Sequence, residues 1–197
     1  MLMDFGARFL AHDIRQVPPT ILDLPAPILA VGLELRTSIR EVYRDVPVLG
    51  EAFARARSEA PVPHRRDPWA VVAASKGHDA ESGAFTYFLG EVVTEIGPLP
   101  EGRLALVIPV GTYAVFPIRP RHKAGWPVAI AAAKRHVYLH WLPTSDYLPS
   151  GEIDDFEYHD ERSLRRRGPE IDLYVSIRPK PERSQPASLH TGYVRQA

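Results

Sequence analysis

The sequence predicts a single α+β domain built from two copies of a strand-helix-strand-strand unit. Three observations lead to this prediction. Extended segments outnumber helical ones, two segments carry apolar residues at helical spacing, and each of those two is followed by a pair of extended segments. The duplication is one of element order, since no convincing residue-level repeat accompanies it. The 197 residues, 45% of them hydrophobic, suit one sizeable core.

The first unit opens with an extended segment from Thr20 to Leu35, interrupted by Pro25 and Pro27. Proline donates no ladder hydrogen bond, so we predict an edge strand or a kinked strand here. A helix follows from about Pro47 to Ser58, because Asp45 can cap it and apolar residues recur inside it at helical spacing.

Two strands complete the first unit. Trp69 to Ser75 is a short apolar run rich in valine and alanine. Ala84 to Ile96 alternates with a period of two, which puts Phe85, Tyr87 and Leu89 on one face. The polar stretch between the two runs predicts a hairpin-like connection.

The second unit repeats this order. Its first strand lies in the long extended stretch Arg103 to Arg119, where Ile108-Pro109-Val110-Gly111 implies a break or a bulge. After a helix, two more strands are predicted at about Asp154 to Asp160 and Ile171 to Ile177.

The second helix is predicted from Pro127 to Leu142 and is ended by Pro143. An apolar stripe runs along it, formed by Trp126, Ile130, Ala133, Val137 and Trp141. Lys134 and Arg135 are predicted to point elsewhere.

Charge and composition exclude several classes of function. The 24 Lys and Arg residues balance the 24 Asp and Glu residues, so no basic field attracts nucleic acid. The absence of cysteine excludes a disulfide framework and a thiolate metal site. No window approaches the ~20 apolar residues of a membrane span, and Asp4, Arg8 and His12 interrupt the N-terminus too early for a signal peptide. We predict a cytoplasmic protein that binds neither nucleic acid nor membranes.

Glu157 is the leading candidate for a functional residue. It lies in a predicted strand in which its neighbours Phe156 and Tyr158 point to the opposite face. If Phe156 packs under the helices, Glu157 faces the far side of the sheet. A carboxylate in an aromatic, partly dry site takes a cationic partner or has a raised pKa, and both serve recognition or catalysis. The alternative is an ordinary solvated strand residue.

Tyrosines and histidines are the other candidates. Aromatic residues recur in the extended segments, where they ordinarily fill cores, but converging tyrosines also offer hydroxyls and rings that attract cations. His136 and His140 stand one helical turn apart without an HExxH pattern or an identified third ligand, so we predict no metal site. No glycine-rich phosphate loop or dinucleotide fingerprint is present, and we predict no cofactor.

Four short motifs occur in the order seen in GyrI-like effector-binding domains. They are Phe85-Thr86-Tyr87-Phe88-Leu89-Gly90-Glu91-Val92, Ile108-Pro109-Val110-Gly111-Thr112-Tyr113-Ala114-Val115-Phe116, Trp141-Leu142-Pro143-Thr144-Ser145 and Asp155-Phe156-Glu157-Tyr158. Each motif alone is weak, but their succession resembles the whole of that domain over residues 18–179. The chain then divides into an N-terminal extension of residues 1–17, the domain, and a flexible tail of residues 180–197.

This resemblance implies an antiparallel sheet with two modules related by a pseudo-twofold axis. Both helices would cover one face, and a ligand cleft would lie between the modules on the sheet side. In multidrug-sensing members, the glutamate matched by Glu157 lies among aromatic residues and recognises cationic, lipophilic ligands. The candidate ligand-contacting residues are Glu157, Tyr87, Tyr113, Trp69, Phe53, Tyr138 and Trp141.

Two departures from the family pattern leave the identity of the ligand open. A tryptophan often found in the first helix is replaced by Gly50, which would enlarge or open one side of the cleft. A YG pair that often begins the second strand is Trp69-Ala70. Transcription-factor members carry a helix-turn-helix domain before the module, whereas 17 residues precede Pro18, so we expect a stand-alone module.

Three functions compete at this stage. The leading prediction is the binding or sequestration of a lipophilic, aromatic or cationic small molecule around Glu157. The first alternative is hydrolysis of electrophilic cyclopropanoid-type genotoxins, with Glu157 as a general base of raised pKa aided by Tyr113. The second is inhibition of a protein partner such as DNA gyrase. A homodimer is compatible with the sequence.

Overall fold

The computed structural model describes residues 18–151 and 153–181. Nine strands occur in this part of the chain, and all their pairings are antiparallel. They are β1 Thr20–Leu24, β2 Ile28–Ser38, β3 Val71–Lys76, β4 Ala84–Val93, β5 Leu104–Ile108, β6 Gly111–Ile118, β7 Tyr147–Pro149, β8 Ile153–His159 and β9 Ile171–Pro179. The two main helices are α1, Val42–Glu59, and α2, Trp126–His136, which continues through a π-helical turn, Val137–Trp141, and a last helical turn, Leu142–Thr144.

The sheet order shows the duplication directly. Strands follow one another as β1-β6-β9-β8-β3-β4-β2-β5, with β7 paired to β9. The first unit, β2-α1-β3-β4, pairs its strands in the order β2-β4-β3, and the second unit, β6-α2-β8-β9, pairs them as β6-β9-β8. The two units meet where β3 pairs with β8. The predicted α+β fold with duplicated units and an antiparallel sheet is confirmed.

Both helices lie on one face of the sheet. Leu49 of α1 packs with Ala73 of β3 and with Phe85 and Tyr87 of β4. Apolar residues of α2 pack in the same way on β6 and β9 of the second unit. The predicted alternation along β4 is therefore confirmed, since Phe85 and Tyr87 share the face covered by α1.

The first extended stretch, predicted as one edge or kinked strand, is two strands, and the second is interrupted where a break or a bulge was predicted. The break at Pro25–Pro27 separates β1 from β2, and the break after Ile108 separates β5 from β6. At each break the chain moves to the other end of the sheet, because β1 pairs with β6 and β5 pairs with β2. The prolines thus mark crossings between the two units.

These two short connections force the sheet to curl. Strands pair ~4.8 Å apart, so the six pairings from β6 to β5 would span ~29 Å in a flat sheet. The chain from Ile108 to Gly111 reaches ~11 Å at most. The edge strands must therefore approach each other on one side, which encloses the face opposite the helices.

The enclosed face is filled by the protein's own side chains. Ile108, Tyr113 and Phe156 are among the buried residues of this core, which draws on both units. The expectation that the ligand cleft lies on this side of the sheet is wrong, because the curled sheet packs that side internally. Phe156 points into this core, so Glu157 lies on the helix face.

The helix boundaries differ from the predicted ones at the start of α1. This helix begins at Val42, so Asp45 and Pro47 lie inside it rather than at its cap. Asp45 instead accepts a hydrogen bond of 2.7 Å from the Thr37 hydroxyl at the end of β2. The second helix covers the predicted range and ends one residue after Pro143.

The ends of the chain fall mostly outside the described residues. The predicted N-terminal extension, residues 1–17, and residues 182–197 of the predicted tail lie outside them. Lys180 is described, and its backbone N–H donates to the Asp146 carbonyl at 2.8 Å. Across residues 18–151 and 153–181, no helix combines the length and apolar character needed to cross a membrane.

Candidate functional site

A buried cluster of charged groups lies beneath the groove between α1 and α2, at the junction of the two units. Asp155, Glu157 and His159 alternate along β8, and alternate residues of a strand face the same side. On the neighbouring strand β3, Ala73 lies opposite Glu157 and Ser75 lies opposite Asp155. The small residues of β3 leave room for the longer side chains of β8.

Lys134 of α2 projects into this cluster. Its Nζ lies 2.8 Å from Asp155 Oδ1 and 3.0 Å from Glu157 Oε1. It also donates a hydrogen bond of 3.2 Å to the Ser75 hydroxyl and lies 5.8 Å from the centre of the Tyr87 ring. One ammonium group therefore serves two carboxylates beside an aromatic ring. We refer to Lys134, Asp155, Glu157, Ser75 and Tyr87 as the acidic cluster.

Glu157 is ionised although only 2% of its surface is exposed. Burial by itself would raise the pKa of this carboxyl, but the charge of Lys134 and the contact with His159, whose Nε2 lies 3.8 Å from Oε2, lower the pKa overall. The expectation of a raised pKa, on which the general-base role depended, is therefore wrong.

Lys134, Tyr87 and the neighbouring Tyr138 keep their protons. Burial opposes the charged form of Lys134, but the charges of Asp155 and Glu157 outweigh it and raise the pKa of the ammonium. Burial and the negative charge of Glu157 raise the pKa of the Tyr87 hydroxyl. Tyr138 donates a 2.8 Å hydrogen bond to Asp155 Oδ2, and burial and this carboxylate raise the pKa of its hydroxyl.

The cluster carries an excess of negative charge. Asp155, Glu157 and Lys134 sum to one negative charge when His159 is counted as uncharged. Among the described residues, neither Asp155 Oδ1 nor Glu157 Oε1 accepts a hydrogen bond of good geometry, although both lie close to the ammonium. These buried oxygens retain unused acceptor capacity, which is uncommon in protein interiors.

An open cleft of about 350 Å³ adjoins the acidic cluster. Its wall is mainly apolar, with Phe53 from α1, Trp69 from the segment before β3, Leu89 from β4 and Leu164 from the turn after β8. His159 also lines the cleft while its ring reaches toward Glu157. His159 is thus the link between the cleft and the buried charges.

Arg57 supplies a cation at the α1 side of the cleft. Its guanidinium lies 5.5 Å from the centre of the Phe53 ring, and its Nη2 donates to the Pro68 carbonyl at 3.0 Å. Its Nε donates at 2.9 Å to Glu91 Oε1, which also accepts a 2.8 Å hydrogen bond from Arg65. Arg57 and Arg65 thus share the single buried carboxylate of Glu91, and the three groups together carry one positive charge.

An ion-pair network holds the turn at the far wall of the cleft. Arg162 contacts the carboxylates of Asp160 at 2.7 Å, Glu170 at 2.6 Å and Asp172 at 2.5 Å. Asp160 also accepts a hydrogen bond from the Arg162 backbone N–H at 2.8 Å. These contacts tie the turn Glu161–Leu164 to the sheet and so fix the position of the cleft wall.

A family model described as integron-associated effector binding protein matches residues 26–177. The chain belongs to this family. The match includes β2 to β8 and most of β9, and therefore both units of the fold and every residue of the acidic cluster. Membership gives the general function of the protein, which is the binding of a small-molecule effector.

One transcriptional regulator is similar to part of the chain. Over 101 residues the chain is 37% identical to the transcriptional regulator BrlR of Pseudomonas aeruginosa, a match that covers 49% of this chain and 34% of BrlR. The match thus spans about a third of the length of that regulator.

Two solved structures are similar in fold. The integron cassette protein VCH_CASS2 of Vibrio cholerae is 15% identical, with a TM-score of 0.56, and the likeness covers 82% of this chain and 96% of that one. The structure of SAV2435 bound to tetraphenylphosphonium is 11% identical, with a TM-score of 0.62, and covers 82% and 94%. At such identities the likeness concerns the fold alone.

Five of the seven candidate residues predicted from the sequence lie at the groove between the helices. Glu157, Tyr87 and Tyr138 take part in or adjoin the acidic cluster, whereas Phe53 and Trp69 line the cleft. The structure therefore brings these five together, and a role for each in ligand contact stays a prediction.

Tyr113 and Trp141 lie elsewhere. Tyr113 is buried in the core on the opposite face, where its hydroxyl donates to the Pro109 carbonyl at 2.8 Å and its ring meets Phe156 edge-on at 5.6 Å. Trp141 packs edge-on against Phe116 at 5.2 Å in the core beneath α2. Tyr113 therefore cannot assist Glu157, because the sheet separates the two side chains.

The family departure at Gly50 corresponds to open space in the structure. Gly50 lies on α1 one turn before Phe53, and no atom of the described residues lies within 4 Å of where its Cβ would be. A Cβ at this position would therefore meet no neighbouring side chain or strand.

Three important residues of the site escaped prediction. Lys134 was expected to point elsewhere, yet it lies at the flank of the apolar stripe, and its long stem carries the ammonium under the helix. Asp155 and His159 share the face of Glu157 by simple alternation, so the pattern of β8 contained the signal that would have found them.

Proposed function

We propose that this protein binds a lipophilic organic cation in the cleft between α1 and the turn Glu161–Leu164, with the positive charge of the ligand directed toward Glu157. The observation that carries the proposal is the pair of buried carboxylates that share a single lysine, Lys134. SAV2435, which has a similar fold, was solved with tetraphenylphosphonium, itself a lipophilic cation, and this supports the same ligand class.

The charge of the acidic cluster supports a cation. Two unit charges 4 Å apart interact by about 4 kcal/mol at the effective dielectric of a site near a protein surface. The one negative charge of the acidic cluster therefore favours a cation over a neutral molecule of the same shape at the Glu157 end of the cleft. Arg57 and Arg65, which share the single carboxylate of Glu91, disfavour a cation at the α1 side. A lipophilic cation is weakly hydrated, so it loses little hydration free energy when it moves from water into the cleft.

The wall of the cleft supports a lipophilic, aromatic body. Pockets for small molecules measure roughly 300 to 1,000 Å³ and are lined mainly by apolar and aromatic groups. The cleft of about 350 Å³ lies at the lower end of this range, with Trp69 and Phe53 in its wall. Ring faces such as these attract both apolar rings and cations.

His159 separates the cleft from Glu157. Its side chain is 24% exposed, so it has room to turn toward solvent when a ligand enters. The cationic group of the ligand would then reach Glu157 through the space that the imidazole leaves.

A matched pair of ligands tests the proposal. The cation 1-methylquinolinium and its uncharged isostere 1-methylnaphthalene have the same shape, so calorimetric affinities for the two isolate the charge. We expect wild-type protein to prefer the cation, and Glu157→Gln to weaken cation binding by about tenfold while leaving the isostere unaffected. Trp69→Ala should weaken both ligands, since it removes a wall that both contact.

The exposed Glu101, in the turn before β5, provides the control, because Glu101→Gln removes the same charge away from the cleft. Equal wild-type affinity for the two ligands would contradict the proposal. So would a cation preference that survives Glu157→Gln.

The hydrolase alternative gains no support from this geometry. A general base benefits from a pKa near the working pH, but the pKa of Glu157 is lowered. Tyr113, the proposed assistant, lies on the other face of the sheet. Inhibition of DNA gyrase stays a prediction without a supporting feature in the described residues.

A further inference from the structure

The ammonium of Lys134 occupies a position with the features of a binding site for the cationic group of a ligand. Its Nζ lies 2.8 Å from Asp155 and 3.0 Å from Glu157, and it donates a hydrogen bond of 3.2 Å to the Ser75 hydroxyl. The centre of the Tyr87 ring is 5.8 Å away. Carboxylates and an aromatic face are the groups by which proteins recognise organic cations.

We infer that Lys134 is a specificity-determining residue, a resident cation that competes with the charge of the ligand for the acidic cluster. This inference rests on the proposed function, because it concerns the same cleft and the same carboxylates. Its consequence is that wild-type protein binds cations more weakly than its two carboxylates would allow.

The position of Lys134 makes the competition effective. The residue is anchored on α2, so its ammonium is present at the cluster at a high effective concentration, which a free ligand must overcome. Its side chain is nonetheless 22% exposed, so part of it already lies at the surface. The long, flexible stem of lysine permits the ammonium to move when a ligand displaces it.

Two substitutions separate competition from simple net charge. The double variant Lys134→Met/Asp155→Asn keeps the single negative charge that the wild-type cluster carries, now on Glu157 alone, and leaves the place of the ammonium free. Methionine retains an unbranched, apolar stem of similar length. If net charge alone governed binding, the wild type and the double variant would bind a cation equally well.

The experiment compares calorimetric affinities of wild type and the double variant for 1-methylquinolinium and 1-methylnaphthalene. We expect the double variant to bind the cation at least about tenfold more tightly and the isostere unchanged, because the net charge is the same but the ligand no longer has to displace a tethered ammonium group. Equal cation affinity in the two proteins would overturn the inference.

A second measurement uses the wild-type protein, so its result does not depend on whether the double variant folds. Displacement of the ammonium should increase the acetylation of Lys134 by acetic anhydride, followed by peptide mass spectrometry, when 1-methylquinolinium is added but not when 1-methylnaphthalene is added. Lys76, paired with Glu34 at 2.8 Å, serves as an internal reference. Unchanged or reduced labelling of Lys134 with the bound cation would overturn the inference.

The outcomes distinguish this inference from the proposed function. If wild-type protein does not prefer the cation over the isostere, the proposed function fails. If it does prefer the cation but the double variant binds no more tightly, Lys134 is a structural counter-ion and only the present inference fails.

Discussion

Glu157 stays charged inside the protein because a buried lysine and a histidine offset the cost of removing it from water. The pKa of its carboxyl is lowered below the ordinary value of 4.5. The folded state therefore holds the ionised form more strongly than the unfolded chain does. By linkage, this stabilisation is fully present above pH 4.5 and is lost as the pH falls through the folded pKa.

This linkage predicts a difference in acid stability at the scale of one residue. Between pH 7 and pH ~3, the free energy of unfolding of the wild type should fall more steeply than that of Glu157→Gln, which cannot titrate. Urea denaturation at several pH values gives the comparison, with Glu101→Gln as the exposed control. Parallel pH profiles for the wild type and Glu157→Gln would show that the folded carboxyl is not held in its charged form.

At the scale of the element, α1 carries a glycine that its packing does not require. Glycine in a helix interior costs about 1 kcal/mol relative to alanine. Because no described atom lies within 4 Å of a Cβ at Gly50, we expect Gly50→Ala to raise the free energy of unfolding by about 1 kcal/mol. Urea denaturation at neutral pH measures the change.

A second glycine provides the contrast for that measurement. Gly83 precedes β4 with a φ of 68°, a conformation that alanine adopts only with strain. We expect Gly83→Ala to lower stability where Gly50→Ala raises it. If Gly50→Ala lowered the free energy of unfolding instead, the space beside α1 would be needed for another contact.

At the scale of the whole molecule, the curled sheet joins the two units through a shared core. Phe156 of the second unit is fully buried there with Ala74 and Phe88 of the first. We expect Phe156→Ala to lower the free energy of unfolding by about 3 to 5 kcal/mol while thermal unfolding stays a single transition. Calorimetry that resolved two transitions would show that the units unfold independently.

Sequence patterns determined the order of elements because periodicity is a local property of the chain. The alternation in β4 and β8 and the stripe of α2 depend on backbone geometry that each segment adopts by itself. The prolines that break β1 from β2 and β5 from β6 were also visible, although their role as crossings between units was not.

Only the tertiary structure decided which face of the sheet holds the site. Whether Phe156 or Glu157 lies under the helices depends on two short connections that curl the sheet, and this is a property of strand order rather than of any one strand. The ion pair between Glu157 and Lys134 could not be predicted from the sequence for the same reason. Lys134 is more than 20 residues from Asp155 and Glu157 in the sequence, and it meets them because its long side chain reaches from α2 to the junction of the two units.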